Sequence, residues 1–212
     1  MHAFCDASAS GTTAAVYAVV YHESSTRQVP LTAKARLSKK DLTIPRLELV
    51  SAHMASNLVN DVRNALEGYA VRSVWTASMV TLHWISGQGN YKQFVAYRVA
   101  QINAKDFINW RHVRTDQNPA YVESRGTESK ELLEVWLKGP DWLSTPDVWP
   151  TLLQTKSSKE SEAEASWEAR LIYKCKSNKE NRLSGPLTTR ETDKQVKFWS
   201  NSGQQDQHRS VP

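Results

Sequence analysis

Thr43-Ile44-Pro45-Arg46-Leu47-Glu48-Leu49-Val50-Ser51-Ala52-His53-Met54 announces a long helix that runs on to Leu66. Thr43 is of the residue types that cap helices, and Pro45 stands in the first turn, where no backbone donor is needed. Leu47, Val50, Met54, Leu58 and Val62 recur at steps of three and four, an apolar stripe that seeks a core. Glu48 lies beside that stripe, one turn in. A carboxylate at a buried margin needs a cation, a donor or a metal.

Around this helix the chain reads as strands first. His2 to Ser8 is a short apolar strand that carries Asp6, Thr13 to Tyr21 a longer buried one, and Val29 to Leu37 a third. The polar run Glu23 to Arg27 turns the chain between the last two, and Gly68 is expected to close the helix. Beyond it come a strand at Val71–Thr76 and helices at Ser78–Ile85 and around Phe94–Ile102. A strand at Phe107–Val113 and a short helix capped by Asn118 follow. Strands followed by alternating helices and strands predict an α/β protein with a mixed sheet, an antiparallel meander and helices on its faces. If the long helix crosses the meander, Asp6 and Glu48 meet at one end of the sheet.

Composition divides the 212 residues at about position 150. Residues 1–150 hold six of the eight Trp, whereas 151–212 are rich in Ser, Lys, Glu, Gln and Asn. The first part is expected to be one domain, and the second a polar, partly disordered linker. Trp136, Trp142 and Trp149, set among Gly139, Pro140 and Pro146, read as an irregular segment packed across the core. The net charge of +5 is spread as +2 over 1–150 and +3 over the rest, so charge alone does not mark a nucleic-acid binder. A phosphate-facing rim would come from Lys34, Arg36, Lys39, Lys40 and Arg46. Cys5 and Cys175 lie in unlike contexts, and no run is long and apolar enough to span a membrane. These features predict an intracellular protein, cytoplasmic or nuclear. His53 stands off the face of Glu48, His83 and His112 lack ligand partners at metal spacing, and no second pair supports zinc at His2 and Cys5.

Several stretches, in order, resemble the ribonuclease H-like region of BEL/Pao retrotransposon polyproteins. They are Phe4-Cys5-Asp6-Ala7-Ser8, Ala33-Lys34-Ala35-Arg36, Ile44-Pro45-Arg46-Leu47-Glu48-Leu49, Val74-Trp75-Thr76 and Phe94-Val95-Ala96-Tyr97-Arg98-Val99. Trp110-Arg111-His112-Val113, Asn118-Pro119-Ala120, Ser124-Arg125-Gly126 and the block from Trp136 to Leu143 continue the series. More weakly, Gly185 through Gln204 resembles the segment before the integrase.

The resemblance implies a ribonuclease H-like fold over about residues 2–150, with a five-stranded sheet. It implies hydrolysis of the RNA strand of RNA–DNA hybrids by two divalent ions, Mg²⁺ or Mn²⁺, held by four acids. It also implies reverse transcriptase and integrase parts of the same element as partners. Met1 stands almost at the first strand, so the chain reads as a fragment of such a polyprotein or a truncated gene. Asp6 and Glu48 match the first two acids as catalytic and metal-binding residues. Ala77 and Tyr121 occupy the positions of the other two, so catalysis is expected to be impaired. Asp116 and Glu123 are the nearest substitutes, and Glu123, two residues along the helix, is expected to point away. The alternative is a non-catalytic connecting module that binds nucleic acid or protein.

Overall fold

The computed structural model describes residues 1–66, 69–87, 89–126, 130–151 and 154–165. The chain divides into two compact units, one of residues 1–88 and 93–164, the other of 89–92 and 165–212. Of the second, the described part is a short stretch around Tyr91, bridged to Ala165. Gly68, Cys175 and the segment from Gly185 to Gln204 that resembles the stretch before the integrase lie outside the described residues, as does most of the expected linker.

Five strands form one sheet in the first unit. They are β1 His2–Ala7, β2 Gly11–His22, β3 Ser25–Leu37, β4 Ser73–Thr76 and β5 Trp110–His112. Their order is β3-β2-β1-β4-β5. The β1–β2 and β2–β3 pairs are antiparallel and joined by short turns, whereas β1–β4 and β4–β5 are parallel. Parallel neighbours need a crossover long enough to return the chain to the same edge, and a helix supplies it. The first crossover is α1, Ile44–Ala65. The second contains α2, Met79–Ser86, and α3, Gln93–Asn103. α4, Pro119–Arg125, and α5, Lys130–Lys138, follow β5, and α6 is the single turn Lys159–Glu162. This is the α/β arrangement with a mixed sheet that the order of elements predicts, and it is consistent with the ribonuclease H-like fold that the resemblance implies.

The differences from expectation are local. The β2–β3 turn needs only Glu23 and Ser24, because Ser25 to Arg27 already pair with Val20 to His22. α1 ends at Ala65 with Leu66 as its cap, and Thr43 supplies its backbone without a side-chain cap bond. Only Trp110–His112 of the apolar run from Phe107 joins the sheet, since three residues of β4 are there to pair with it. The face that α1 buries is also rotated from the Leu47–Val62 stripe. Leu49, Ala52, Ala55 and Val59 are fully buried, while Val50, Leu58 and Val62 lie at its margin. Small residues fill that face, Ser51 and Ser56 among them, and let the helix axis approach the sheet closely.

On the opposite face, Phe4, Ala15, Tyr17, Trp75, Val113, Ala120 and Leu143 form a core covered in part by Trp136, Trp142 and Trp149. Trp142 meets Trp75 edge-on at 4.8 Å, Trp149 meets it at 5.7 Å, and Tyr17 donates its hydroxyl to the Trp136 carbonyl at 2.5 Å. The Trp-rich segment packs across the core, as its composition predicts. Its backbone is held in short 3₁₀ turns at Asp141–Ser144 and Pro146–Val148. No helix among the described residues is long and apolar enough to cross a membrane.

Candidate active site

The carboxylates converge because one hydroxyl seats α1 on the sheet. Ser51 Oγ lies 2.7 Å from the Asp6 carbonyl and 2.6 Å from the Thr13 carbonyl, inside the β1–β2 ladder. Glu48, almost one turn earlier on α1, is thereby held over the end of β1. The parallel register pairs Cys5 with Thr76, so the next step sets Ala77 beside Asp6. From the other face, Asn118 ties α4 to β1 by donating its amide to the Cys5 carbonyl at 3.0 Å. Asn118 also caps α4 by accepting from the Ala120 N–H. Asp6, Glu48, Ala77 and Tyr121 are therefore gathered at one end of the sheet.

Each carboxylate already has a partner. Ser78 donates its hydroxyl to Glu48 Oε2 while accepting the Thr81 N–H as the cap of α2. Ser124, near the end of α4, donates to Asp6 Oδ2. Ser8 in turn donates to the Ser124 carbonyl. This end of α4 comes close to Gly11, where an added Cβ would stand 3.3 Å from the Ser124 carbonyl oxygen and push it by a few tenths of an ångström. Gly126, at φ +68°, then takes the chain out of the helix in a conformation that side chains disfavour.

The electrostatics follow from burial. Desolvation raises Glu48 to about 7, against the Ser78 hydrogen bond, with the neighbouring Asp6 charge adding to the rise. Asp6 is also raised by burial, opposed by the Ser124 hydroxyl and by the charge of Arg125. Arg125 is the cation of the site. Its guanidinium stacks 4.6 Å from the centre of the Tyr121 ring, and its charge favours the ionised form of both acids.

The proposed substitutes stay apart from the pair. Asp116 is engaged by Arg114 through two bonds of 3.0 and 3.1 Å. Glu123 is exposed and its charge acts on Tyr17, on the side of α4 away from Asp6. His112 borders the site, near the Ala77 backbone, and burial lowers its pKa. His53 packs edge-on against Tyr97, and His2 is buried, accepts the Trp75 indole N–H and is lowered to about 3. Lys34, Arg36, Lys39 and Lys40 are exposed and form no ion pair among the described residues, whereas Arg46 is held bidentately by Glu164 at 2.7 and 2.9 Å.

Two carboxylates, each hydrogen-bonded to a serine, are the acids that could serve as metal ligands here. Among the described residues no three acid, His or Cys side chains come together as metal ligands. These residues do not fit a two-ion centre, which needs more anionic oxygens than the pair provides. Sequence reasoning did not find Ser8, Ser51, Ser78, Ser124 and Arg125 as parts of the site. The signal was partly present, since Ser124 and Arg125 belong to a stretch that matches the family, and Ser78 follows Ala77 directly.

No curated protein matches the chain. Residues 1–78, which carry β1 to β4, α1 and both remaining acids, match the family model of the Pao retrotransposon-like RNaseH-like domain.

Proposed function

We propose that this is the ribonuclease H-like domain of a retroelement polyprotein that binds RNA–DNA hybrids without cleaving them. One observation carries the reading. Serine hydroxyls satisfy Glu48 and Asp6, while Ala77 and Tyr121 stand where the family places two further acids. Ala77 offers no ligand, and a phenol is a poor one at neutral pH. Binding is supported by the exposed cations Lys34, Arg36, Lys39 and Lys40, which precede α1 on the chain and suit phosphates.

The deciding experiment is cleavage of a labelled hybrid in Mg²⁺ or Mn²⁺ by this chain and by the double variant Ala77→Asp with Tyr121→Asp. The chain is expected to hold the hybrid in chelator, with affinity falling as salt rises, and to leave it uncut. The double variant is expected to cut it. Cleavage by the unaltered chain, lost in Asp6→Asn, overturns the non-cleaving reading. Absence of hybrid binding overturns the binding role.

A further inference from the structure

Away from the acid pair, α1 packs beside α3 and the loop after it through two guanidinium–ring contacts and one ring pair. The Arg46 guanidinium lies 4.9 Å from the centre of Phe94, His53 is edge-on to Tyr97 at 6.4 Å, and Arg63 lies 4.1 Å over Phe107, just beyond α3. Arg98 adds a second guanidinium to Phe94, at 3.7 Å. Arg46 to Arg63 spans roughly 25 Å at the α-helical rise. Along this ridge Glu164 binds Arg46, and the charge of Asp61 acts on Lys105. Arg98 and Arg63 form no ion pair among the described residues, so the ridge keeps an excess of positive charge. Packing accounts for Phe94 and Phe107, which are half-buried. It does not account for Tyr97, whose surface is 58% exposed between His53 and Arg98.

We propose that this α1–α3 ridge is a binding surface for single-stranded nucleic acid, separate from the acid end that faces the hybrid. An exposed ring beside uncompensated guanidinium groups offers stacking to a base and charge to the adjoining phosphates, the pairing by which single strands are held without reading sequence. An acidic peptide would use the charges and leave the ring idle, which makes the nucleic acid the better match.

The test is fluorescence anisotropy of labelled oligo(dT), about 15 nucleotides long, with the full chain in chelator at low salt. The chain is expected to bind it. Tyr97→Ser is expected to weaken binding about tenfold, whereas Tyr97→Trp keeps it. Arg98→Gln is expected to flatten the dependence of log affinity on log salt by roughly 0.7. All three variants keep hybrid affinity, while a Lys39→Ala, Lys40→Ala variant loses hybrid and keeps oligo(dT). A chain that grips hybrid but ignores oligo(dT) overturns the ridge and leaves the hybrid reading intact. Equal affinity in Tyr97→Ser, with poly-glutamate displacing oligo(dT) at matched charge, overturns it in favour of an acidic partner.

Discussion

Ser51 Oγ stands 2.7 Å from the main-chain oxygen of Asp6, so the helix that carries Glu48 is anchored at the very residue whose side chain it must meet. The placement of the acid pair thus depends on a neutral hydroxyl inside the core. Ser51→Ala removes it without adding bulk, and with it the hydrogen bond from α1 to the β1–β2 ladder. The expected cost is about 1–2 kcal/mol of unfolding free energy, read from denaturant midpoints. Ser51→Val adds volume to a face built from small residues and is expected to cost more. Equal stability of Ser51→Ala and the parent chain would show that α1 is seated by packing alone.

Glu48 should make stability depend on pH. Its carboxyl is raised from 4.5 to about 7 on folding, so the folded chain holds a proton that the unfolded chain releases. The stabilisation is therefore complete below about 4.5, falls as pH rises towards 7, and stays lost above it. Asp6, also raised, acts in the same direction. Glu48→Gln keeps an acceptor for Ser78 and removes the ionisation. It is expected to be more stable than the parent at pH 8, by up to about 3 kcal/mol, with the gap closing at pH 5. Thermal melts across that range decide the sign.

Restoring one acid should make folding sensitive to metal. Ala77→Asp sets a third carboxylate beside Asp6, which raises repulsion in chelator and creates a ligand set for a divalent ion. The variant is expected to melt several degrees below the parent without metal and to recover in millimolar Mg²⁺. The parent melt is expected to stay where it is on adding Mg²⁺. A matching Mg²⁺ response in the parent counts against the poor fit of the pair to metal.

Trp142 closes the face of the sheet opposite α1. Trp142→Ala is expected to cost about 3 kcal/mol, because the ring packs against Trp75 and Phe4 and its neighbours fill the gap only in part. Unfolding followed in guanidinium checks the size of the loss. Trp142→Phe, which keeps a ring there, is expected to recover more than half of it.

The elements were legible where one physical signal dominates. The mostly apolar β1, the long β2 and the cap-and-proline start of α1 each admit one reading. The rotation of α1 was not legible, because serine and alanine count as neutral in a hydropathy stripe, yet they are what fits beneath a helix pressed on a sheet. The ends of β5 were hidden for another reason: a strand stops where its partner stops, and β4 has only four residues. In the site, acids announce themselves by their cost of burial, which is why Asp6 and Glu48 stand out in the sequence. Ser78 and Ser124 were not, since a hydroxyl shows its role only once the carboxylate it serves has been placed.

The outer strand β3 carries its own safeguard. It runs thirteen residues along an open border of the sheet, with Val29 and Leu31 half exposed. Its pairing with β2 slips between Val16 and Tyr17, where Pro30 faces Tyr17 and Leu31 has no opposite number. A strand from another molecule would meet a ladder broken midway, with a missing amide at the proline and lysine and arginine beyond it. The border thus disfavours extension by a strand from another molecule.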